Sequence, residues 1–377
     1  MKYKRRDLFK AGAAVLLGSQ INGAADAASK DQKEPVNRGD VEPINGRWTI
    51  ERVNQWYSKQ PWMVGCNYVP TYAINQIEMW QGSTFNPKII DSELGLAESI
   101  GFNTIRIFAH DLVWKTERNG YFNRIRQFLD ICEKHHIRVI YTIFTNGGTE
   151  PSAMGPQPAP VPGLHNGGWR QTPGVSAVMN QPEKWGTMES YVKDTISTFA
   201  EDSRILFWDI FNEPSNNKAV KDIAGFVRLA FSWARQIAPP QPLTSAFLTY
   251  KLDRLNAFLA ENCDFMSFHN YGGVKSLQSA FDQMKVLGRP IVCKEWLARH
   301  LKSTIQDCLP FFKKNNIGAI NWGLIPGKLQ THIPWKYLLE KFPDSKKIWF
   351  HDLFDEKHRP YDPKEIELIM KLSGKKS

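Results

Sequence analysis

The stretch Ile205-Leu206-Phe207-Trp208-Asp209-Ile210-Phe211, closing on Asn212-Glu213-Pro214, is nearly continuous in apolar residues. That is the pattern of a strand buried on both faces, as in a parallel sheet. From about residue 60 the chain holds seven more short runs of β-branched or aromatic character: 63–68, 104–108, 137–144, 242–247, 265–269, 290–294 and 319–322. Longer amphipathic stretches separate them, over 87–100, 122–135, 182–200, 219–237, 251–260, 276–287 and 303–315, with a last one near 363–372. Pro87 and Pro182 sit where a first helical residue would, and Gly101 and Gly288 where a helix would stop.

Eight strands alternating with helices predict a parallel sheet, and eight closes a (β/α)8 TIM barrel. A doubly wound sheet is the rival, but no Gly-rich phosphate loop follows any strand. The expectation is a single catalytic domain over 46–377, with long loops after strands 3 and 8. The first, 146–181, is rich in Pro and Gly, and the second spans 324–363.

Residues 1–27 stand apart. Lys4-Arg5-Arg6-Asp7-Leu8-Phe9-Lys10 precedes an apolar run and then Ala25-Asp26-Ala27. This is the pattern of a twin-arginine signal with a cleavage site after Ala27. The apolar run is too short to span a bilayer, so no stable membrane anchor is expected. The expected partner of the precursor is the Tat export machinery, and the expected location is the periplasm or outside the cell. Polar residues 28–45 read as a flexible linker. The formal charge of +10 is spread along the chain without a nucleic-acid motif, so no nucleic acid is expected as partner. Five cysteines without C-x-x-C spacing argue against a disulfide framework and a zinc site.

The chemistry of such a barrel lies at the C-terminal ends of its strands. There stand Asn67-Tyr68, Arg106, Thr145-Asn146, Asn212-Glu213, His269-Asn270-Tyr271, Lys294-Glu295-Trp296 and Asn321-Trp322. Glu213 and Glu295 close strands 4 and 7, on opposite sides of one mouth. Two carboxylic acids so placed suit glycoside hydrolysis by retention, in which one attacks the anomeric carbon and the other shuttles a proton. The load of 13 Trp suggests flat apolar surfaces for a ligand. Trp80, Trp114, Trp169 and Trp335 are candidates, and His110, Asp111, Asn75 and Gln76 are looser ones.

The segments Trp208–Pro214, Phe268-His269-Asn270-Tyr271, Val292–Trp296 and Asn321-Trp322-Gly323 resemble the retaining (β/α)8 glycoside hydrolases of the cellulase- and mannanase-like clan, family 5 and its relatives. The resemblance covers roughly residues 60–325. It implies a retaining β-glycosidase acting on a β-linked oligo- or polysaccharide of the β-glucan or β-mannan kind, without metal or other cofactor. It implies Glu213 as acid/base and Glu295 as nucleophile. Asn212 would bond the sugar 2-hydroxyl, and Tyr271 and Arg106 would hold Glu295 ionised and oriented. His269 would line the site and Trp322 would floor it. Asn146 and Trp80 complete the expected substrate-binding set. Many cellulase-like members carry a His near the end of strand 3, where this chain has Phe144-Thr145-Asn146, which leaves the sugar open. A metal-dependent barrel hydrolase would want His-x-His at strand 1, where Cys66-Asn67-Tyr68 stands. A transglycosylase with the same two glutamates and a non-catalytic sugar-binding barrel are the remaining alternatives.

Overall fold

The computed structural model describes residues 42–216, 218–247, 254–341 and 347–375. The expected export signal, and the expected linker up to residue 41, lie outside the described residues. Among the described residues no helix is long and apolar enough to cross a membrane.

All eight apolar runs are strands, and all pair in parallel. In chain order they are β1 (Val64–Asn67), β2 (Thr104–Phe108), β3 (Arg138–Thr145), β4 (Ile205–Asn212), β5 (Leu243–Thr244), β6 (Ala246–Phe247), β7 (Met266–His269), β8 (Ile291–Glu295) and β9 (Gly318–Trp322). The order across the sheet is β5-β4-β3-β2-β1-β9-β8-β7-β6. Its two ends, β5 and β6, are halves of one run broken at Ser245, so the sheet closes on itself. Ser245 spans the break: its Oγ donates to the Phe211 carbonyl at 2.7 Å, and its own carbonyl accepts from Ser267 Oγ at 3.0 Å. The fold is a (β/α)8 barrel.

The helices are α1 (Ile50–Ser58), α2 (Gln76–Trp80), α3 (Pro87–Ser99), α4 (Asp111–Lys134), α5 (Thr187–Phe199), α6 (Ile223–Ile237), α7 (Arg254–Asn262), α8 (Val274–Lys285), α9 (Ile305–Lys314), α10 (Lys336–Lys341) and α11 (Pro363–Ser373). Pro87 opens α3, and Gly101 follows its end at φ 86°, a conformation that suits glycine. Pro182 opens only a 3-10 turn, and α5 begins at Thr187. Trp185 turns the chain there by donating its indole N–H to the Met179 carbonyl at 3.0 Å. Helix α4 starts at Asp111, well before the expected residue 122, and kinks at Glu117.

The alternation rule does not reveal α1, but the packing explains it. Trp48, Val53 and Tyr57 join Met63, Ile140, Leu206, Phe207, Phe265, Val292 and Ile320 in one buried cluster that fills the barrel's lower end. Trp56 stacks on Phe265 at 5.9 Å. The main core cluster packs the outer faces of the strands against the helices. All five cysteines are buried and free.

Strands β1 and β2 meet without room for a side chain at Gly65. A Cβ there would lie 1.6 Å from the Thr104 carbonyl oxygen. Gly65→Ala should therefore destabilise the fold by about 4 kcal/mol or more, because only backbone movement could relieve the clash. Gly186→Ala, where a Cβ meets nothing within 4 Å, should stay within about 0.5 kcal/mol. Urea unfolding of the two variants measures the contrast.

Candidate active site

The site is assembled around Arg106, which projects from β2 into the barrel and is fully buried. A guanidinium has five N–H groups, and here each finds an oxygen. Nε and Nη2 reach Asp209 Oδ2 at 3.0 and 2.6 Å, and Nη2 also reaches Asn212 Oδ1 at 2.5 Å. Nη1 reaches Asn67 Oδ1 at 2.8 Å and Glu295 Oε1 at 2.7 Å. Strands β1, β4 and β8 are thus tied to β2 through one side chain.

Glu295 receives its second hydrogen bond on Oε2, from the Tyr271 hydroxyl at 2.7 Å. Burial, then the nearby Glu295 charge, pushes the Tyr271 hydroxyl well above its ordinary range, so it is a neutral donor. His269 Nδ1 lies 2.8 Å from Glu213 Oε1 and 3.3 Å from Glu295 Oε2. Burial drives the His269 pKa down to about 3, so the ring is neutral near pH 7. Its Nε2 is buried without a hydrogen-bond partner. Glu213 closes the group, bonded on Oε2 by Asn216 Nδ2 at 2.8 Å. Its backbone is left-handed at φ 45°, a strained conformation for a non-glycine residue that turns the carboxyl over the mouth.

Burial is the largest influence on Glu213 and pushes its carboxyl up, against the opposing charges of Arg106 and Lys294. Atoms of Glu213, His269 and Glu295 lie within 4.8 Å of one another. Three such ligands could hold a cation by spacing alone. Arg106 already pairs with Glu295, however, and a second fixed cation, Lys294, sits beneath, so the electrostatics disfavour an added metal ion.

Lys294 and Asp209 carry no predicted role, yet they hold the floor. Lys294 Nζ lies 2.5 Å from Asp209 Oδ1, with both side chains fully buried. Burial lowers Lys294 to about 8. For Asp209, burial acts to raise the carboxyl, but the charges of Lys294 and Arg106 outweigh it and bring it below the ordinary value. Strict alternation would send Lys294 and Glu295 to opposite faces of β8. A β-bulge brings both inward: Phe268 pairs with Cys293, and the next residue, His269, pairs with Glu295. The one sequence signal for Asp209 is a charge inside an apolar strand, which must be paired to be buried.

The structure gathers seven of the predicted residues: Glu213, Glu295, Arg106, Asn212, His269, Tyr271 and Trp322. Trp322 stands at the end of β9 against Phe108 and Trp169, at 5.6 and 5.9 Å. Two predictions need correction. Trp80 is fully buried behind β2, donates to the Phe108 carbonyl at 2.8 Å and packs edge-on to Tyr121 and Phe128. It has no face for a sugar. Asn146 is also buried, and its amide is used on the Pro214 carbonyl at 2.6 Å, bracing the turn after Glu213. Of the looser candidates, Asn75 and His110 cap helices and Trp114 bonds Asp194, whereas Trp335 packs edge-on to Tyr271.

Residues 67–328 match the family described as Cellulase (glycosyl hydrolase family 5). Among solved structures the chain is similar to the exo-beta-1,4-mannosidase Op5Man5 from Opitutaceae bacterium strain TAV5. The TM-score is 0.56 and the identity 16%, over 83% of this chain and 59% of that one. The chain therefore spans less than two thirds of that protein. It is similar to a GH5_18 protein from Bifidobacterium longum subsp. longum, with TM-score 0.57 and 13% identity over 84% and 79% of the two chains. The β-mannanase from the blue mussel Mytilus edulis follows, with TM-score 0.51 and 14% identity over 80% and 94%. At these identities the likeness concerns the fold. No curated protein compared with the chain matches it by sequence.

The buried floor makes a prediction of its own. Lys294→Met leaves Asp209 with Arg106 as its one remaining cation, and should cost about 3–5 kcal/mol in stability, as for other broken buried pairs. Adding Asp209→Asn removes the stranded charge and should recover part of that loss. A double-mutant cycle by chemical denaturation reads the coupling, and fully additive losses would contradict it.

Proposed function

The chain belongs to glycosyl hydrolase family 5, and from that premise we propose that it is a retaining glycoside hydrolase that cleaves β-linked glucan- or mannan-like chains by double displacement on Glu295 and Glu213. The observation that carries this reading is the meeting of Glu213 and Glu295 at two strand ends, with His269 Nδ1 2.8 Å from an oxygen of the first and 3.3 Å from an oxygen of the second. One oxygen of each acid lies within 4.8 Å of one of the other's, close enough for a pair that acts on a single glycosidic bond.

In the first step a Glu295 oxygen bonds to the anomeric carbon while Glu213 passes its proton to the departing glycosidic oxygen. Arg106 and Tyr271 keep Glu295 aimed. In the second step Glu213 takes a proton from water, the water oxygen bonds to the anomeric carbon, and the ester to Glu295 breaks. The buried charges explain how one residue serves as acid and then base. At rest Arg106 and Lys294 balance Asp209 and Glu295, so burial, the largest influence on Glu213, tilts it toward its protonated form. Esterification removes the Glu295 charge and leaves a net positive surround, which favours Glu213 as carboxylate. The Asn212 amide would meet a sugar hydroxyl. The expected Arg5-Arg6 leader supports a substrate met outside the cytoplasm.

Product configuration tests the two roles separately. With azide and an activated aryl β-glycoside, Glu295→Ala should give the α-glycosyl azide, because one displacement inverts. Glu213→Ala should give the β-glycosyl azide, because the covalent intermediate still forms and azide then intercepts it. Both variants should lose several orders of magnitude in natural turnover. NMR of the products assigns the roles, and swapped configurations would exchange them.

The pH profile should be bell-shaped. Glu213 must carry its proton, so activity is present below its pKa and lost as pH rises through it. Because burial raises that pKa, the alkaline limb lies above the ordinary glutamate range. The acid side of the bell follows from the general need of a retaining mechanism for an ionised nucleophile. In Glu213→Ala, with a leaving group that needs no proton, the alkaline limb should vanish. A wild-type rate that stays flat from about pH 4 to 9 would contradict the coupled pair.

A further inference from the structure

The loop 146–181 leaves β3 but does not stay beside it. Asn75 and Gln76, at the start of α2, hold its returning limb by bonds to the Gly168 and Arg170 carbonyls at 3.1 and 3.0 Å. Its tip docks on the loop that follows β9. Asn166 N–H donates to the Leu329 carbonyl at 2.9 Å, and His165 Nδ1 meets the Ile333 carbonyl at 2.7 Å. Gln330 Nε2 reaches back to the Val161 carbonyl at 2.7 Å. The two long loops are therefore one strap, laid across the ends of β2, β1 and β9 and fastened on both sides.

Trp169 is the wedge beneath that strap. Its ring stands edge-on to Phe108 at 5.0 Å and to Trp322 at 5.9 Å, and with Leu329 these three form a separate buried cluster. Exposure across the site is correspondingly lopsided. The Glu295 side chain is 6% exposed and Trp322 is 6% exposed, whereas the Glu213 side chain is 22% exposed. Glu213 is thus the more open of the two acids, and Trp322 is packed beneath Trp169 and Leu329.

Resting on the roles given above to Glu213 and Glu295, we propose that the site is a blind pocket one sugar deep, and that the enzyme releases monosaccharides from non-reducing ends. Glu213 protonates the departing oxygen, so the leaving group lies on its side of the scissile bond. That is the open side, where a chain of any length can extend. The sugar retained on Glu295 points the other way, toward Trp322 and the wedge. A further sugar on its non-reducing side would have to occupy the space of Trp169 and of a strap held by hydrogen bonds from both loops. Steric exclusion of that kind discriminates strongly, because the wall cannot move without breaking several bonds at once.

The test compares substrates differing at one end. Aryl β-glucoside and β-mannoside establish which sugar is accepted. The matching β-1,4-linked tetrasaccharide, labelled at its reducing end, is then offered free and with a benzylidene acetal capping O4 and O6 of its terminal sugar. The free form should yield the labelled trisaccharide first, and the capped form should react at least about 100-fold more slowly. In Trp169→Gly the capped-to-free rate ratio should rise by about tenfold or more. Turnover of the aryl glycoside with equal cleavage of the capped chain at an internal bond would overturn the blind pocket and leave the glycosidase reading standing. A capped-to-free ratio in Trp169→Gly equal to that of the wild type would show that the wedge does not form the wall. Failure of every substrate, aryl glycosides included, would remove the glycosidase reading and the pocket with it.

Discussion

A guanidinium cut off from water must have its charge balanced and its five N–H groups bonded, or its burial becomes very costly. Arg106 meets both conditions through Asn67, Asp209, Asn212 and Glu295, four residues from three strands. The rest of the site depends on that arrangement. The direction of Glu295, the carbonyl of Asn212 and the position of Asn67 all answer to one planar fork. A lysine could supply the charge but not the five fixed directions.

The same constraint shapes the layer below. Asp209 can spend Oδ2 on Arg106 because Lys294 supplies a second cation at Oδ1. Lys294 points inward because β8 bulges where it pairs with β7, and the same bulge turns Glu295 inward. The barrel interior is therefore layered by chemistry. Its lower end is filled by apolar side chains beneath α1, and its middle by buried hydroxyls and charges such as Thr142, Thr244 and Ser267. Such a middle layer gives little net stability against an apolar packing of equal volume. What it supplies is orientation of the groups above it.

The fold was legible in the sequence because runs such as 137–144 and 205–211 are apolar on both faces, and burial on both faces has few other causes. The split of the fifth strand at Ser245 was not, because hydrogen-bond geometry divides a run whose composition is continuous. Lys294 was hidden by the bulge, since the period-2 rule assigns it to the outer face. The tryptophan count misled in a physical way. An indole offers one N–H and a large apolar body, which suits a core as well as it suits a sugar. Trp62, Trp80 and Trp185 each use that N–H to tie a backbone carbonyl. The strap was legible only as a long Pro- and Gly-rich loop. Its docking joins side chains such as His165 and Gln330 to backbone carbonyls of the other loop, and such carbonyls are carried by every residue.

Phe108 joins the two halves of the site. Its ring lies under the Arg106 guanidinium carbon at 4.6 Å, and its other contacts are Trp169 and Trp322. Its carbonyl is held by Trp80 from outside the barrel. The cation that orients Glu295 and the wedge that ends the pocket therefore rest on the same aromatic ring. A cation over an aromatic face is stabilised without adding a hydrogen bond, so Phe108 supports Arg106 from the one direction its five donors cannot use. Displacing the wedge would also let water reach that face and weaken the low-polarity setting in which the Arg106–Glu295 pair is strong. Shape selection and electrostatic alignment are coupled on this proposal: the wall it assigns to Trp169 also keeps the cation beside Glu295 dry.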